Sequence, residues 1–362
     1  MKKIIYSLIF FMTISFSMTG CAIATENTQY PLEVTDNFGY NITIESQPER
    51  IVSTMPSNTE QLFAIGAGEN VVGGTIHDTY PPEAAMIEKV GGYANLDLEK
   101  IIDLNPDLVI AGEGNGEENI DMMRNEFGMK VIVLKPQNVS DIMENIELLG
   151  SVTNKSAEAV SVTSDMRKDI DKIESITGDF PDNARPRVLY IVWDDPMYAA
   201  GTNTFPSDLI YMAGGQNILE SEGWPVVDVE AMMEKDPEVI ICSSMGAEDK
   251  SVSGKLADSI RDNELLAYTS ALQNNRVYPI SNPKLVEIPG PRIVQGLDEL
   301  HTILQPLSEE KLKSSDQNST EISNSTEDVG DSKETQQSPA LGILLSSIVL
   351  IILYSSITIK RK

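Results

Sequence analysis

Two stretches of this chain are versions of one another. Leu98-Glu99-Lys100-Ile101-Ile102-Asp103-Leu104-Asn105-Pro106-Asp107-Leu108-Val109-Ile110 aligns without a gap to Val229-Glu230-Ala231-Met232-Met233-Glu234-Lys235-Asp236-Pro237-Glu238-Val239-Ile240-Ile241. The match extends backwards at the same offset, since Asp97 pairs with Asp228 and Gly92-Tyr93 with Gly223-Trp224. Each copy reads as an aromatic residue, a Glu, a short helix, a Pro stop, an acid and an apolar strand. A helix halted by Pro and followed by a β-branched run is half of an α/β unit. A chain that carries it twice is constrained to two similar lobes, each offering one Glu and one aromatic at an equivalent place. That is the layout of a clamshell.

The intervening segments fit this plan. Asp36-Asn37-Phe38-Gly39 is a turn between two alternating stretches and predicts a hairpin across Pro31 to Gln47. Strands are expected at Arg50–Ser53, Val71–Gly73, Leu108–Ile110 and Val131–Leu134, with a helix starting at Pro56 and capped by Ser57 or Asn58. Strands alternating with helices argue for a parallel sheet. These fill a first lobe, residues 30–152. Asn154 to Thr177 contains neither Pro nor Gly and predicts one linking helix within residues 153–180, about 36 Å long. A second lobe, residues 185–305, has strands at Arg187–Val192, Val239–Cys242 and Val277–Ile280 and a last helix from Pro291 to Leu304. The expected fold class is α/β, two Rossmann-like lobes joined by a single long helix.

The ends place the chain outside the cytoplasm. Lys2 and Lys3 precede the apolar run Ile4 to Phe16, and residues 1–21 read as an export signal. Gly20-Cys21 resembles a lipobox, in which Cys21 is acylated; an ordinary signal cut nearby is the other reading. Ala340 to Ile359 is an apolar run closed by Lys360-Arg361-Lys362, and at about 1.5 Å per residue it spans a hydrocarbon core of about 30 Å. The basic tail assigns this transmembrane anchor a cytoplasmic end and leaves everything before it outside. Residues 308–338, rich in Ser, Glu, Asp, Thr, Asn and Gln, are expected to be a disordered tether with a reach of about 30 Å.

The formal charge of −28, from 55 acids against 27 bases, excludes nucleic acid as a partner. With Cys21 in the signal, Cys242 stands alone in an apolar strand and reads as a small core residue. No Gly-rich phosphate loop, His-Glu-x-x-His or Gly-x-Ser-x-Gly elbow occurs, and His77 and His301 are the only histidines. His301 falls on the apolar stripe of the last helix, as a hydrogen-bonded packing residue. The chain is therefore read as a binding protein without catalytic residues or cofactor, and as a monomer. A surface sensor or adhesion module is the third class considered.

Pro56-Ser57-Asn58-Thr59-Glu60, Asn105-Pro106-Asp107-Leu108-Val109-Ile110 and Gly290-Pro291-Arg292-Ile293 resemble the solute-binding proteins of metal-chelate ABC importers, the class III periplasmic binding proteins. Tyr80-Pro81-Pro82-Glu83-Ala84, Leu98-Glu99 and Trp224-Pro225 ahead of Glu230 are most similar to the vitamin B12-binding members of that class. The resemblance implies a corrinoid ligand, with a ferric siderophore or haem as the alternative, and a dimeric ABC permease with its ATPase subunits as partner. It implies that Glu99 and Glu230 meet arginines of the permease, where two separated carboxylates fix register and steer association. A solvated first helical turn is the plainer reading of either Glu alone. The resemblance also implies that Tyr93 and Trp224 press on the ligand. His77 stands where the class has a Tyr; it contacts the ligand face, ligates its iron axially, or hydrogen-bonds a side group. Trp193, Tyr198 and Glu287 are further lining candidates, with Trp193 equally readable as core.

Overall fold

The computed structural model describes residues 27–244 and 250–326, the side chains of residues 250 and 315–326 aside. The predicted hairpin opens it. Strands β1 (Leu32–Thr35) and β2 (Asn41–Ile44) run antiparallel, and the Asp36 carboxylate accepts hydrogen bonds from the N–H groups of Phe38 and Tyr40 to close the turn. The first lobe continues with β3 (Ile51–Ser53), α1 (Pro56–Ala64), β4 (Val71–Gly74), β5 (Glu88–Lys89) and a two-rung hairpin of β6 (Gly91–Gly92) and β7 (Asn95–Leu96). It closes with α2 (Leu98–Asp103), β8 (Leu108–Gly112), α3 (Glu117–Asp121) and β9 (Val131–Leu134). The main sheet is parallel throughout, in the order β5-β4-β3-β8-β9.

A helix not expected from the sequence, α4 (Val139–Val152), precedes the linking helix expected within residues 153–180, which is α5 (Ser156–Thr177). The break falls at Asn154, which takes φ 58°, a left-handed turn that Asn tolerates better than most residues. The 22 residues of α5 span about 33 Å.

The second lobe consists of β10 (Arg187–Asp194), β11 (Met197–Ala199), α6 (Phe205–Met212), β12 (Gln216–Asn217), α7 (Val229–Lys235), β13 (Val239–Cys242), α8 (Lys250–Arg261), α9 (Ser270–Gln273), β14 (Val277–Pro279), α10 (Lys284–Glu287) and α11 (Ile293–Thr326). Its sheet runs β11-β10-β13-β14, with β12 also on β10; only β11 is antiparallel.

Alternation along the strands decides where the core sits. Val188, Tyr190 and Val192 of β10 join Ile51, Leu108, Ile110 and Ile132 in one apolar cluster that spans both lobes, together with residues of α1, α4, α5, α6 and α11. The intervening Leu189 and Ile191 enter a second cluster with Ile240, Cys242 and Met232. In the first lobe Val52, Val109 and Val131 likewise turn away, toward Ile101 and Met123. Each sheet thus has one face in a shared core and one in its own, as period-2 geometry requires of a doubly covered sheet. A core shared in this way resists hinging, because opening the lobes would expose side chains worth roughly 1.5–3 kcal/mol each.

Three local expectations change. Met55 occupies the position ahead of α1 without a side-chain cap, and Pro56 is the helix's first residue, because proline's fixed φ suits that position; Asn58 lies inside and donates to the Ala111 carbonyl at 2.9 Å. The last helix does not stop at Leu304 but runs to Thr326, so the segment expected to be a tether begins inside α11. Leu307 and Ser308 are buried there, and Lys311 Nζ lies 2.8 Å from a Glu238 carboxylate oxygen. Those contacts hold the helix past Pro306 despite its polar composition. The signal at residues 1–21, the rest of the tether and the run 340–359 fall outside the described residues, among which no helix is long and apolar enough to cross a membrane.

Candidate functional site

Strand order reverses between β3 and β8 in the first lobe and between β10 and β13 in the second. Crevices at the carboxyl ends of such strands are where open α/β sheets take their ligands. The site candidates gather there in two sets.

The first set hangs on a polar network at the end of β3. The Asp78 carboxylate, buried, accepts from Thr59 Oγ1 at 2.7 Å, Thr75 Oγ1 at 2.5 Å and the Thr75 N–H at 2.9 Å, and the Thr59 hydroxyl, its one proton given to Asp78, lies 2.8 Å from Ser53 Oγ, from which it can accept. That knot fixes the loop carrying His77, which is exposed. Tyr93, at the tip of the β6–β7 hairpin, packs against His77 with ring centroids 5.5 Å apart and planes at 54°. Asn115 holds the hairpin in place. Its amide nitrogen donates to the Tyr93 carbonyl at 2.8 Å and the Thr54 carbonyl at 3.0 Å. Its oxygen accepts from the Gly112 N–H at 2.8 Å and Thr54 Oγ1 at 2.7 Å. A Cβ at Gly114 would lie 3.2 Å from Met55 Cε and 3.5 Å from the Tyr93 ring, which places the tyrosine in contact with this loop.

The second set is aromatic and apolar. Trp193 and Tyr198 are cross-strand partners on β10 and β11, and Tyr198 bridges to Val226 two residues beyond Trp224. With Val192, the three aromatic side chains line a cavity of about 330 Å³. Trp193 is 52% exposed, which settles that it lines the surface and is not core; its indole N–H donates to the Asp195 carbonyl at 2.9 Å. The loop bearing Trp224 is drawn close because Gly201 has no side chain: a Cβ there would sit 1.9 Å from the Ser221 carbonyl oxygen.

Glu287 lies at the carboxyl end of β13 and accepts from Ser243 Oγ at 2.5 Å. Burial raises the Tyr190 phenol well above its ordinary value, and the Glu287 carboxylate adds to the effect. Burial also pushes the Cys242 thiol up to about 12, leaving it an inert core residue. His301 is buried, with Nδ1 3.3 Å from the Ala213 carbonyl, in the packing role its helical position predicted. Cys21 lies outside the described residues.

The repeat survives in three dimensions. Asp97 and Asp228 cap α2 and α7 by accepting from the N–H groups of Lys100 and Ala231. Ile101 and Met232 are buried at equivalent turns, and Asn105 and Asp236 leave the helices at φ 45° and 43°. Asp107 then accepts from the Arg50 N–H at 3.1 Å, and Glu238 from the Arg187 N–H at 2.9 Å, tying each copy to the base of its central strand. Glu99 and Glu230 stand exposed in the first turns of these two helices.

Asn115 and the Asp78 knot were not anticipated. The alternation of Gly112, Gly114 and Gly116 around Asn115, directly after a buried strand, was the available signal. Among the described residues no group of three or more His, Cys, Asp or Glu is arranged to hold a metal ion.

Residues 51–283 match the model of a family described as periplasmic binding protein. An uncharacterized ABC transporter substrate-binding lipoprotein of Bacillus subtilis is 30% identical over 282 residues, 76% of this chain and 86% of the relative. The crystal structure of the periplasmic vitamin B12 binding protein of Vibrio cholerae superposes with a TM-score of 0.63 at 27% identity, covering 72% of this chain and 98% of that one. The apo periplasmic heme-binding protein of Roseiflexus sp. RS-1 gives 0.63 at 25% identity, covering 72% and 99%.

Proposed function

The chain belongs to the periplasmic binding protein family, and on that premise we propose that it captures a corrinoid between its lobes and delivers it to an ABC permease. It is an extracytoplasmic substrate-binding protein of an ABC transporter, a carrier and not a catalyst.

The observation that carries the ligand class is the neutral aromatic pocket of Trp193, Tyr198 and Trp224. Flat aromatic faces suit a large planar chelate. A ligand bearing carboxylates, such as haem with its propionates, or an anionic ferric siderophore, needs cationic partners that this lining lacks. The charge of −28 works against such anions as well. A corrin ring with amide side groups meets neither objection. Haem remains the second reading, favoured by His77, whose exposed imidazole beside Tyr93 is suited to axial ligation of iron.

Glu99 and Glu230 are proposed as the contacts to a dimeric permease with its ATPase subunits, one per lobe. Charge reversal at both is expected to abolish stimulation of the permease while leaving ligand affinity unchanged. Anchoring through an acylated Cys21, through residues 340–359, or both, is part of the same reading, and the lipoprotein relative from Bacillus subtilis supports the first.

Calorimetric titration of a fragment comprising residues 27–326 with cobinamide, cyanocobalamin, haem and two ferric siderophores tests the cargo. One-to-one corrinoid binding, weakened about tenfold by Trp224→Ala, is the expected result. Binding of haem or a siderophore alone would keep the carrier and overturn the corrinoid assignment.

A further inference from the structure

We propose that Asn138, on the first lobe, carries an N-linked glycan whose first sugar is seated against Tyr211 of the second. The proposal needs the extracytoplasmic location of the chain and is independent of which ligand it carries.

Attachment to asparagine requires the triplet Asn-x-Ser/Thr with x other than Pro. The chain has five, beginning at Asn41, Asn138, Asn154, Asn318 and Asn324. Such triplets also arise by chance, so geometry has to choose among them. The sugar replaces a hydrogen on Nδ2, which needs open space around it. Asn154 is half-buried in the turn between α4 and α5 and clamped at both ends of its amide. Its Nδ2 donates to Gln47 Oε1 at 3.3 Å, and its Oδ1 accepts from the Thr28 N–H at 2.8 Å. Asn41 is exposed on the hairpin, its Oδ1 held by the Thr35 hydroxyl at 2.7 Å. The side chains of Asn318 and Asn324 fall outside the described residues.

Asn138 is exposed and extended, at φ −146° and ψ 176°, just ahead of α4. Its Oδ1 caps that helix by accepting from the Asp141 N–H at 3.0 Å, and among the described residues its Nδ2 makes no hydrogen bond. A glycan on Nδ2 leaves the cap intact, because the amide oxygen keeps its role. Ser140, which completes the triplet, is exposed as well.

The surface beside Asn138 is what points to a seated sugar. Asn138 lines a cavity of about 310 Å³ whose other wall, from the second lobe, includes Thr202, Asn203, Ser207 and Tyr211. Asp208 ties the two walls together by accepting from the Val139 N–H at 3.1 Å. Tyr211 is 59% exposed, and its ring rests on the Arg185 guanidinium, 4.2 Å from the centroid. Arg185 Nη1 also donates to the Tyr211 carbonyl at 2.8 Å, so the ring is braced from one side and open on the other. An open aromatic face packs on the C–H face of a pyranose, while the hydroxyl and amide side chains around it match the sugar's hydroxyls.

The test uses the full-length chain isolated from membranes of the cells that make it. Fragmentation of its peptides in the mass spectrometer should place a glycan on Asn138 and none on Asn154. Ser140→Ala breaks the triplet without touching the cap and should erase the modification, whereas Ser140→Thr should keep it. The seat is read from the thermal midpoint. Ser140→Ala should lower it by about 2 °C more in the wild-type background than in Tyr211→Ala, where no seat remains. An unmodified Asn138, or a glycan on Asn154 in its place, would overturn the assignment. A modified Asn138 with equal midpoint shifts in the two backgrounds would overturn the seat, the sugar then standing free of the second lobe.

Discussion

Glu60 of α1 and Arg292, just ahead of α11, form a 2.7 Å ion pair that joins the first lobe to the second. The guanidinium also lies over the Tyr80 ring, 3.5 Å from its centroid, and Gln61 donates to the Pro289 carbonyl beside it at 2.9 Å. Glu60 is buried, so removing its partner strands a charge. Arg292→Ala is expected to cost about 3 kcal/mol in denaturant unfolding of the 27–326 fragment. Arg292→Lys should recover only part of the loss, because it keeps the charge and gives up the planar fork and the stack on Tyr80. An unchanged midpoint for Arg292→Ala would mean that the pair does nothing to hold the lobes.

A second cross-lobe contact carries a pH signature. The Asp208 carboxylate on α6 accepts from the Val139 N–H, the first residue of α4, at 3.1 Å. Burial raises its pKa, the Val139 hydrogen bond opposes that, and the Asp141 carboxylate adds to it. Asp208 therefore holds its proton more tightly in the folded chain than in the unfolded one. Its contribution is fully present below the unfolded value and is lost as pH rises through the folded one. Asp208→Asn keeps an oxygen for Val139 and removes the charge, so it should raise the thermal midpoint at neutral pH and leave it unchanged in acid. A lower midpoint at neutral pH would show that attraction between the carboxylate and the α4 N-terminus dominates.

What could be read in advance was local or periodic. Asp97 and Asp228 each bond an N–H three residues on, and the alternation in Arg187–Val192 states both faces of its strand, so the long central strands and the duplicated Glu were legible, whereas the short β5, β6, β7, β11 and β12 were not. Trp193 was not, because an indole at a strand end looks the same whether it lines a cleft or fills a core. Asn115 was hidden for a different reason: its partners are at residues 54, 93 and 112, and no window of sequence contains them. The tether was misplaced by averaging, since the polar composition of residues 308–338 masks the few positions, Ser308 and Lys311 among them, that the second lobe holds.

Asn115 should therefore be sensitive in both stability and binding. Asn115→Leu would leave the Tyr93 and Thr54 carbonyls and the Gly112 N–H without their partner, at about 1–3 kcal/mol for each group that water cannot reach. The Tyr93 hairpin would lose its tie to the end of β3. The expected outcome is a lowered unfolding midpoint together with a loss of ligand affinity larger than that of Tyr93→Phe. Affinity retained in a destabilised Asn115→Leu would mean that Tyr93 needs no such tie.

Lys311 offers the sharpest check on where the folded body ends. Its ammonium lies 2.8 Å from Glu238, which also accepts from the Arg187 N–H. Burial alone would raise the Glu238 pKa, but the hydrogen bonds from Lys311 and Arg187 and their charges outweigh it and leave it lowered. The stabilisation is present above the unfolded carboxylate value and disappears as pH falls through the folded one. Lys311→Ala should thus cost about 1–2 kcal/mol at neutral pH, and the gap to wild type should close as Glu238 protonates in acid. Truncation after Leu307 should cost more than Lys311→Ala, because it also removes Ser308 from its buried place and Glu310 from Arg276. If truncation at 307 and a chain ending at Thr326 unfolded together at neutral pH, residues beyond 307 would be a tether after all, and α11 would contribute nothing past Leu307.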